Sequence, residues 1–143
     1  MTTTDIGATI YNYLSANLTG VTVRSDYISP TDNGPLPAVT YSVVSTLPNN
    51  SLSGVSDCFT SRIELTVHAT SRTSANTTAE SVRQVMQSIP WDSQNQSGFI
   101  TSIDLESSYY QFTEPSSTKA QRFLFVHDYF VHYRPDVLAD LGL

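Results

Sequence analysis

Phe59-Thr60-Ser61-Arg62-Ile63-Glu64-Leu65-Thr66-Val67-His68-Ala69 is the stretch on which the fold turns. Phe59, Ser61, Ile63, Leu65 and Val67 fall on one side, and Thr60, Arg62, Glu64, Thr66 and His68 on the other. Successive side chains of a strand point to opposite faces, so one face here is core and the other polar. That alternation is the mark of an antiparallel sheet with one covered face.

Upstream, Ala38 to Thr46 reads as a second strand, with Val39, Tyr41 and Val43 alternating with Thr40 and Ser42. Before it, Ser29 to Pro37 holds three prolines and Asn33-Gly34, which reads as a loop. Val21 to Ile28 reads as a further strand, ahead of that loop. Residues 5–18 carry Ile6, Ile10, Tyr13 and Leu14 at helical spacing, with Thr4 or Asp5 as cap and Gly20 as stop. Leu47 to Asp57 contains Pro48, Gly54, two asparagines and three serines, and reads as a long mobile loop.

Downstream, residues 74–89 place Ala75, Ala79, Val82, Val85, Met86 and Ile89 on one helical stripe. Thr77 to Glu80 matches a capping box, and Ser71 to Ser74 offer competing caps. Pro90 ends the helix. Phe99 to Phe112 and Gln121 to Arg134 read as two more strands around a turn at Pro115. The last strand is apolar on both sides. Phe123, Phe125, His127, Tyr129, Val131 and Tyr133 share one side, and Leu124, Val126, Phe130 and His132 the other. The predicted order is α-β-β-β-α-β-β. It defines an α+β fold, an antiparallel β-sheet with two helices packed on one face. One domain covers 1–135, and 136–143 forms an apolar tail with Val137, Leu138, Leu141 and Leu143.

Two helices cover only one face of a small sheet. A two-faced last strand therefore calls for a neighbouring subunit or a second sheet. The candidate interface residues are Phe123, Phe125, Tyr129, Phe130, Val131 and Tyr133, with Leu138 and Leu141 from the tail.

Composition narrows the function. Charged residues are 14% of the chain, against a usual ~25%. Their place is taken by 20 serines and 18 threonines. The net charge is −6 with one lysine, Lys119, so no basic patch exists to bind phosphates. No stretch approaches the ~18 apolar residues of a membrane span, and no membrane partner is expected. The N-terminus lacks the basic and apolar regions of a secretory signal, which gives a cytosolic expectation. Cys58 is the only cysteine, which excludes an intrachain disulfide and a cysteine-rich zinc site.

Catalytic motifs are scarce. There is no Gly-x-Ser-x-Gly and no Walker loop. His127 and His132 are five apart on a strand, which puts them on opposite faces and argues against a shared metal. His68 reads as a polar partner of Glu64, and Cys58 as a small buried hydrophobe. Asp104 and Glu106 share a strand face and read as an exposed polar edge. No cofactor or metal is expected, and the chain reads as a non-enzyme.

The layout resembles the tail-terminator, or tail-completion, proteins of long-tailed bacteriophages, over about residues 6–133. The carrying features are the helix Ile6 to Leu18, the segment Leu36-Pro37-Ala38-Val39-Thr40-Tyr41 and the loop Ser53-Gly54. The strand Arg62-Ile63-Glu64-Leu65-Thr66-Val67 and the helix Ala79-Glu80-Ser81-Val82-Arg83-Gln84-Val85-Met86 complete the set. Ser/Thr richness and the apolar tail depart from that pattern.

The resemblance implies a structural virion protein. Six copies would form a ring on the head-proximal end of the tail tube, assembled in the host cytoplasm. The ring would stop tube polymerisation and present a joining surface to the head–tail connector protein. DNA would pass through without specific binding, and six subunits at −6 give a conduit of about −36 that repels phosphate. Asn49, Asn50, Ser53, Gly54 and Asp57 are the candidate flexible, lumen-facing residues. The alternatives are a head-closure or connector adaptor ring, and a small ligand-binding or hydrolytic α+β domain. Clustered, perturbed carboxylates in a pocket would favour the last.

Overall fold

The computed structural model describes residues 6–25, 37–51, 54–91, 100–112 and 122–134. Helix α1 (Ile6–Asn17) forms where Ile6, Ile10, Tyr13 and Leu14 repeat at helical spacing, and all four are buried. Its last turn closes through Leu18 N–H donating to the Leu14 carbonyl at 2.9 Å, and through Asn17 Nδ2 donating to the Tyr13 carbonyl at 2.8 Å. Gly20 then takes φ 73°, a left-handed conformation that costs a glycine little and redirects the chain.

Five strands make one sheet: β1 (Thr22–Ser25), β2 (Ala38–Ser51), β3 (Gly54–Ala69), β4 (Ile100–Phe112) and β5 (Phe123–Tyr133). Their order across the sheet is β1-β2-β3-β5-β4. The α+β class stands, but the sheet is mixed rather than wholly antiparallel. β1 runs parallel to β2, with Thr22 opposite Ala38 and Ser25 opposite Tyr41. A parallel pair needs a crossover of roughly a dozen residues instead of a tight turn. The proline-rich stretch 26–36 supplies that length.

Helix α2 (Arg72–Ser88) starts at Ser71, whose extended backbone lets its hydroxyl accept from the Ser74 N–H at 3.1 Å. The Thr77–Glu80 capping box is not formed, because Thr77 lies inside the helix. Its carbonyl accepts from the Ser81 hydroxyl, and Glu80 pairs with Arg83. After Ser88 a 3-10 turn spans Ile89–Trp91, placing Pro90 beyond the last α-helical residue.

Both helices cover the same sheet face. Ile10, Leu14, Ala79, Val82 and Met86 share one cluster with Val39, Ile63, Leu65, Val67, Tyr129 and Val131. Burial of these side chains is the main source of stability, at about 1.5–3 kcal/mol for each large one. At one end of this core a chain of hydroxyls runs inward from exposed Thr46 to buried Ser61 and Tyr133. Thr46 Oγ1 lies 2.8 Å from Ser61 Oγ, which lies 3.1 Å from the Tyr133 hydroxyl. Phe59 stacks on Tyr133 at 6.0 Å.

The second departure concerns residues 47–57. Where composition predicts a loop, the backbone forms the two arms of a β-hairpin, with Leu47 opposite Thr60, Asn50 opposite Val55 and Ser51 opposite Gly54. Serine and asparagine read as loop formers, but cross-strand hydrogen bonding satisfies their backbone all the same. β3 pairs with β5 only from Phe59 onward, so the hairpin runs past the end of β5. Asn49, Asn50, Gly54 and Asp57 thus belong to strands rather than to a flexible loop. Ser53 lies outside the described residues, as do Leu138, Leu141 and the rest of the tail.

Candidate assembly surface

Alternation along β5 decides which side chains are free. Tyr129, Val131 and Tyr133 point under the helices and are buried in the subunit's own core. They are therefore not interface residues. The two helices reach far enough to enclose that side of the strand. Phe125 is half-buried against the same core, with the Tyr110 ring edge-on at 6.3 Å and His127 stacked at 5.1 Å. Phe123 meets Tyr110 at 6.2 Å. Of the named aromatics on β5, Phe130 alone lies on the opposite face, half-buried.

That opposite face is organised by polar rows running across strands. Asp128 is buried and accepts from Arg62 Nη2 at 3.2 Å on β3 and from the Ser107 hydroxyl at 3.1 Å on β4. One step along, Thr60 Oγ1 lies 2.8 Å from His132 Nδ1, and His132 Nε2 lies 3.1 Å from Asp104 Oδ2. Thr60 and His132 are directly opposite in the register. A hydroxyl–imidazole–carboxylate row has the members of a nucleophile, base and orienting acid. Each member here sits where its strand position alone puts it, and Asp104 is two-thirds exposed. The rows fix the register of β3, β5 and β4, since a one-residue slip would carry every partner to the other face.

The remaining histidines are set apart. His127 lies on the helix side and His132 on the other, so they do not converge. Burial pushes the His127 imidazole below its usual range, reinforced by the Arg83 cation and opposed by the nearby Ala79 backbone. His68 bonds Thr40 Oγ1 across β2 at 3.2 Å, not Glu64, because Glu64 lies along its own strand while Thr40 sits on the neighbouring one. Burial, helped by the positive charge of Arg122, lowers His68 to about 4. Tyr129 is pushed upward by burial. Cys58 is half-buried. Among the described residues, no three metal-ligating side chains gather.

Free apolar surface lies elsewhere, at Trp91 of the 3-10 turn, at Tyr11 of α1 and on the outer stretches of the sheet. Val43 is 38% exposed, Val44 50% and Leu47 66%, all on β2 beyond its pairing with β1. On β4, Leu105 and Tyr109 are 39% and 43% exposed. None of these five was legible as surface from composition. The available signal was the Val43-Val44 doublet, which breaks the alternation of its strand. The structure resolves it as a bulge between Val43 and Ser45.

No protein-family model matches the chain, and no curated protein matches it significantly.

Proposed function

We propose that the chain is a structural ring subunit that terminates a bacteriophage tail. Copies assemble on the end of the tail tube, stop its growth and offer the joining surface for the head connector. The carrying observation is the β2–β3 hairpin, whose arms run past β5 beyond Pro48 and Phe59, with Val43, Val44 and Leu47 exposed on β2 just before that point. An isolated two-stranded hairpin is marginal in water, so an arm of this kind gains its stability against a neighbour. Further support comes from the order of elements, from the motifs that resemble tail terminators and from an acidic charge that leaves DNA unbound.

The genetic test is deletion of the gene from the phage that carries it. Termination predicts tails of uncontrolled length that do not join heads. Tails of normal length without heads would transfer the chain to the connector reading. Intact virions would remove it from the tail altogether.

A further inference from the structure

We propose that the sheet face away from the helices binds a hard divalent cation, Ca²⁺, between Glu64 of β3 and Asp128 of β5. The site belongs to the single subunit and does not rest on ring assembly.

The strand register puts the two acids together. Glu64 and Asp128 are directly opposite in the β3–β5 pairing. Side chains so placed have Cβ atoms about 4.5–5.5 Å apart, and like charges there are destabilising. Hydroxyls extend the row on both sides, with Ser42 opposite Glu64 on β2 and Ser107 opposite Asp128 on β4. A bulge between Leu105 and Ser107 adds Glu106 to β4 at the same level.

Burial is a second and separate observation. Asp128 is 5% exposed, and its two oxygens stand in different surroundings. Oδ2 accepts from Arg62 Nη2 and from the Ser107 hydroxyl. Oδ1, on the other side of the carboxyl group, is buried and has no hydrogen-bond partner among the described residues. Leaving such an oxygen without a donor is costly, the more so when it carries charge. Glu64, half-buried across from it, likewise takes no hydrogen bond or ion pair among the described residues. Arg62 answers one of the two negative charges, so Glu64, Asp128 and Arg62 together carry −1. A cation held by Oδ1 and the Glu64 carboxylate meets the missing charge and the missing partner at once.

Donor chemistry selects the ion. The row offers carboxylates and hydroxyls, with no imidazole or thiol, which suits Mg²⁺ and Ca²⁺ over softer metals. Mg²⁺ demands near-ideal octahedral ligands at about 2.0–2.1 Å, whereas Ca²⁺ accepts irregular ligation at about 2.3–2.6 Å. Side chains anchored on two separate strands fit the looser requirement. Arg62 and Ser107 are exposed, so the row meets water there and solvent completes the coordination shell. Two carboxylates place the affinity in the weak range, with Kd about 1 mM.

Ca²⁺ titration of the full chain, read by calorimetry and by thermal midpoint, tests the site. The inference expects a Kd of about 1 mM and, in about 10 mM CaCl₂, a midpoint raised by about 4 °C. Glu64→Gln should weaken binding at least about tenfold and remove that rise. Arg62→Gln takes the three-residue charge from −1 to −2 and should tighten binding about tenfold, a direction that loss of structure does not mimic. Asp104→Asn, exposed on the same face, should leave binding unchanged, and MgCl₂ should act more weakly than CaCl₂. Absence of any Ca²⁺-dependent shift up to about 10 mM would overturn the inference. So would a shift that Glu64→Gln retains, or one that KCl reproduces at equal ionic strength, since the first places the ion elsewhere and the second reduces the effect to screening.

Discussion

Replacing Arg62 should harm the fold more than replacing its partner Asp128, although the two share one ion pair. The Asp128 side chain is 7% exposed and that of Arg62 44%. At 3.2 Å and an effective dielectric near 20, the gross attraction is about 5 kcal/mol. Much of it is spent in desolvating the acid. Asp128→Asn removes the charge while leaving an oxygen for the Ser107 hydroxyl, and Arg62 rehydrates where it already meets water. The expected loss is about 1 kcal/mol, close to the surface-pair range. Arg62→Gln strands an anion in the sheet with Ser107 as its remaining donor, and a loss of about 3 kcal/mol follows. Urea unfolding of both variants at neutral pH gives the two numbers through the shift in midpoint at constant slope. Equal losses, or a larger loss for Asp128→Asn, would refute the reasoning from burial.

Leu14→Ala, at a fully buried helix position, should cost about 3–4 kcal/mol in thermal or urea unfolding. Stability should fall as pH drops from about 6.5 towards 4. The folded pKa of His68 is lowered to about 4, so the unfolded chain binds the proton first and the contribution present above 6.5 is lost across that window. His127 acts in the same direction, and titration of the His68→Gln variant should show a flatter acid limb, whereas an unchanged limb would assign the effect elsewhere. Removing residues 136–143 should leave the thermal midpoint nearly unchanged while weakening ring formation by sedimentation. Unfolding of the truncated chain would instead place Leu138 and Leu141 in the subunit's own core.

Periodicity made most of the fold legible. Ile63, Leu65 and Val67 at alternate positions, and Ile10, Tyr13 and Leu14 at helical ones, are each read from local pattern, and burial follows that pattern because one layer of helices meets one sheet face. What escaped the sequence was non-local. Whether β1 runs with or against β2 depends on where the chain goes through 26–36, which no period records. Ser51 and Gly54 look like loop residues until their backbones are seen to pair, since a hairpin is stabilised by cross-strand bonds that serine and asparagine make as well as any residue. On β5, pattern alone cannot tell which of two apolar faces the helices take. They take Tyr129, Val131 and Tyr133, and the free apolar surface moves to Val43, Val44, Leu47, Leu105 and Tyr109.

The most direct test of the account is sedimentation of the purified protein over a concentration series, alone and with tail tubes, followed by negative-stain imaging. Six subunits of 15.7 kDa give a species of about 94 kDa, seen as a ring in solution or seated on one end of each tube. A strict 15.7 kDa monomer that leaves tube ends bare and tube growth unchecked would contradict the account.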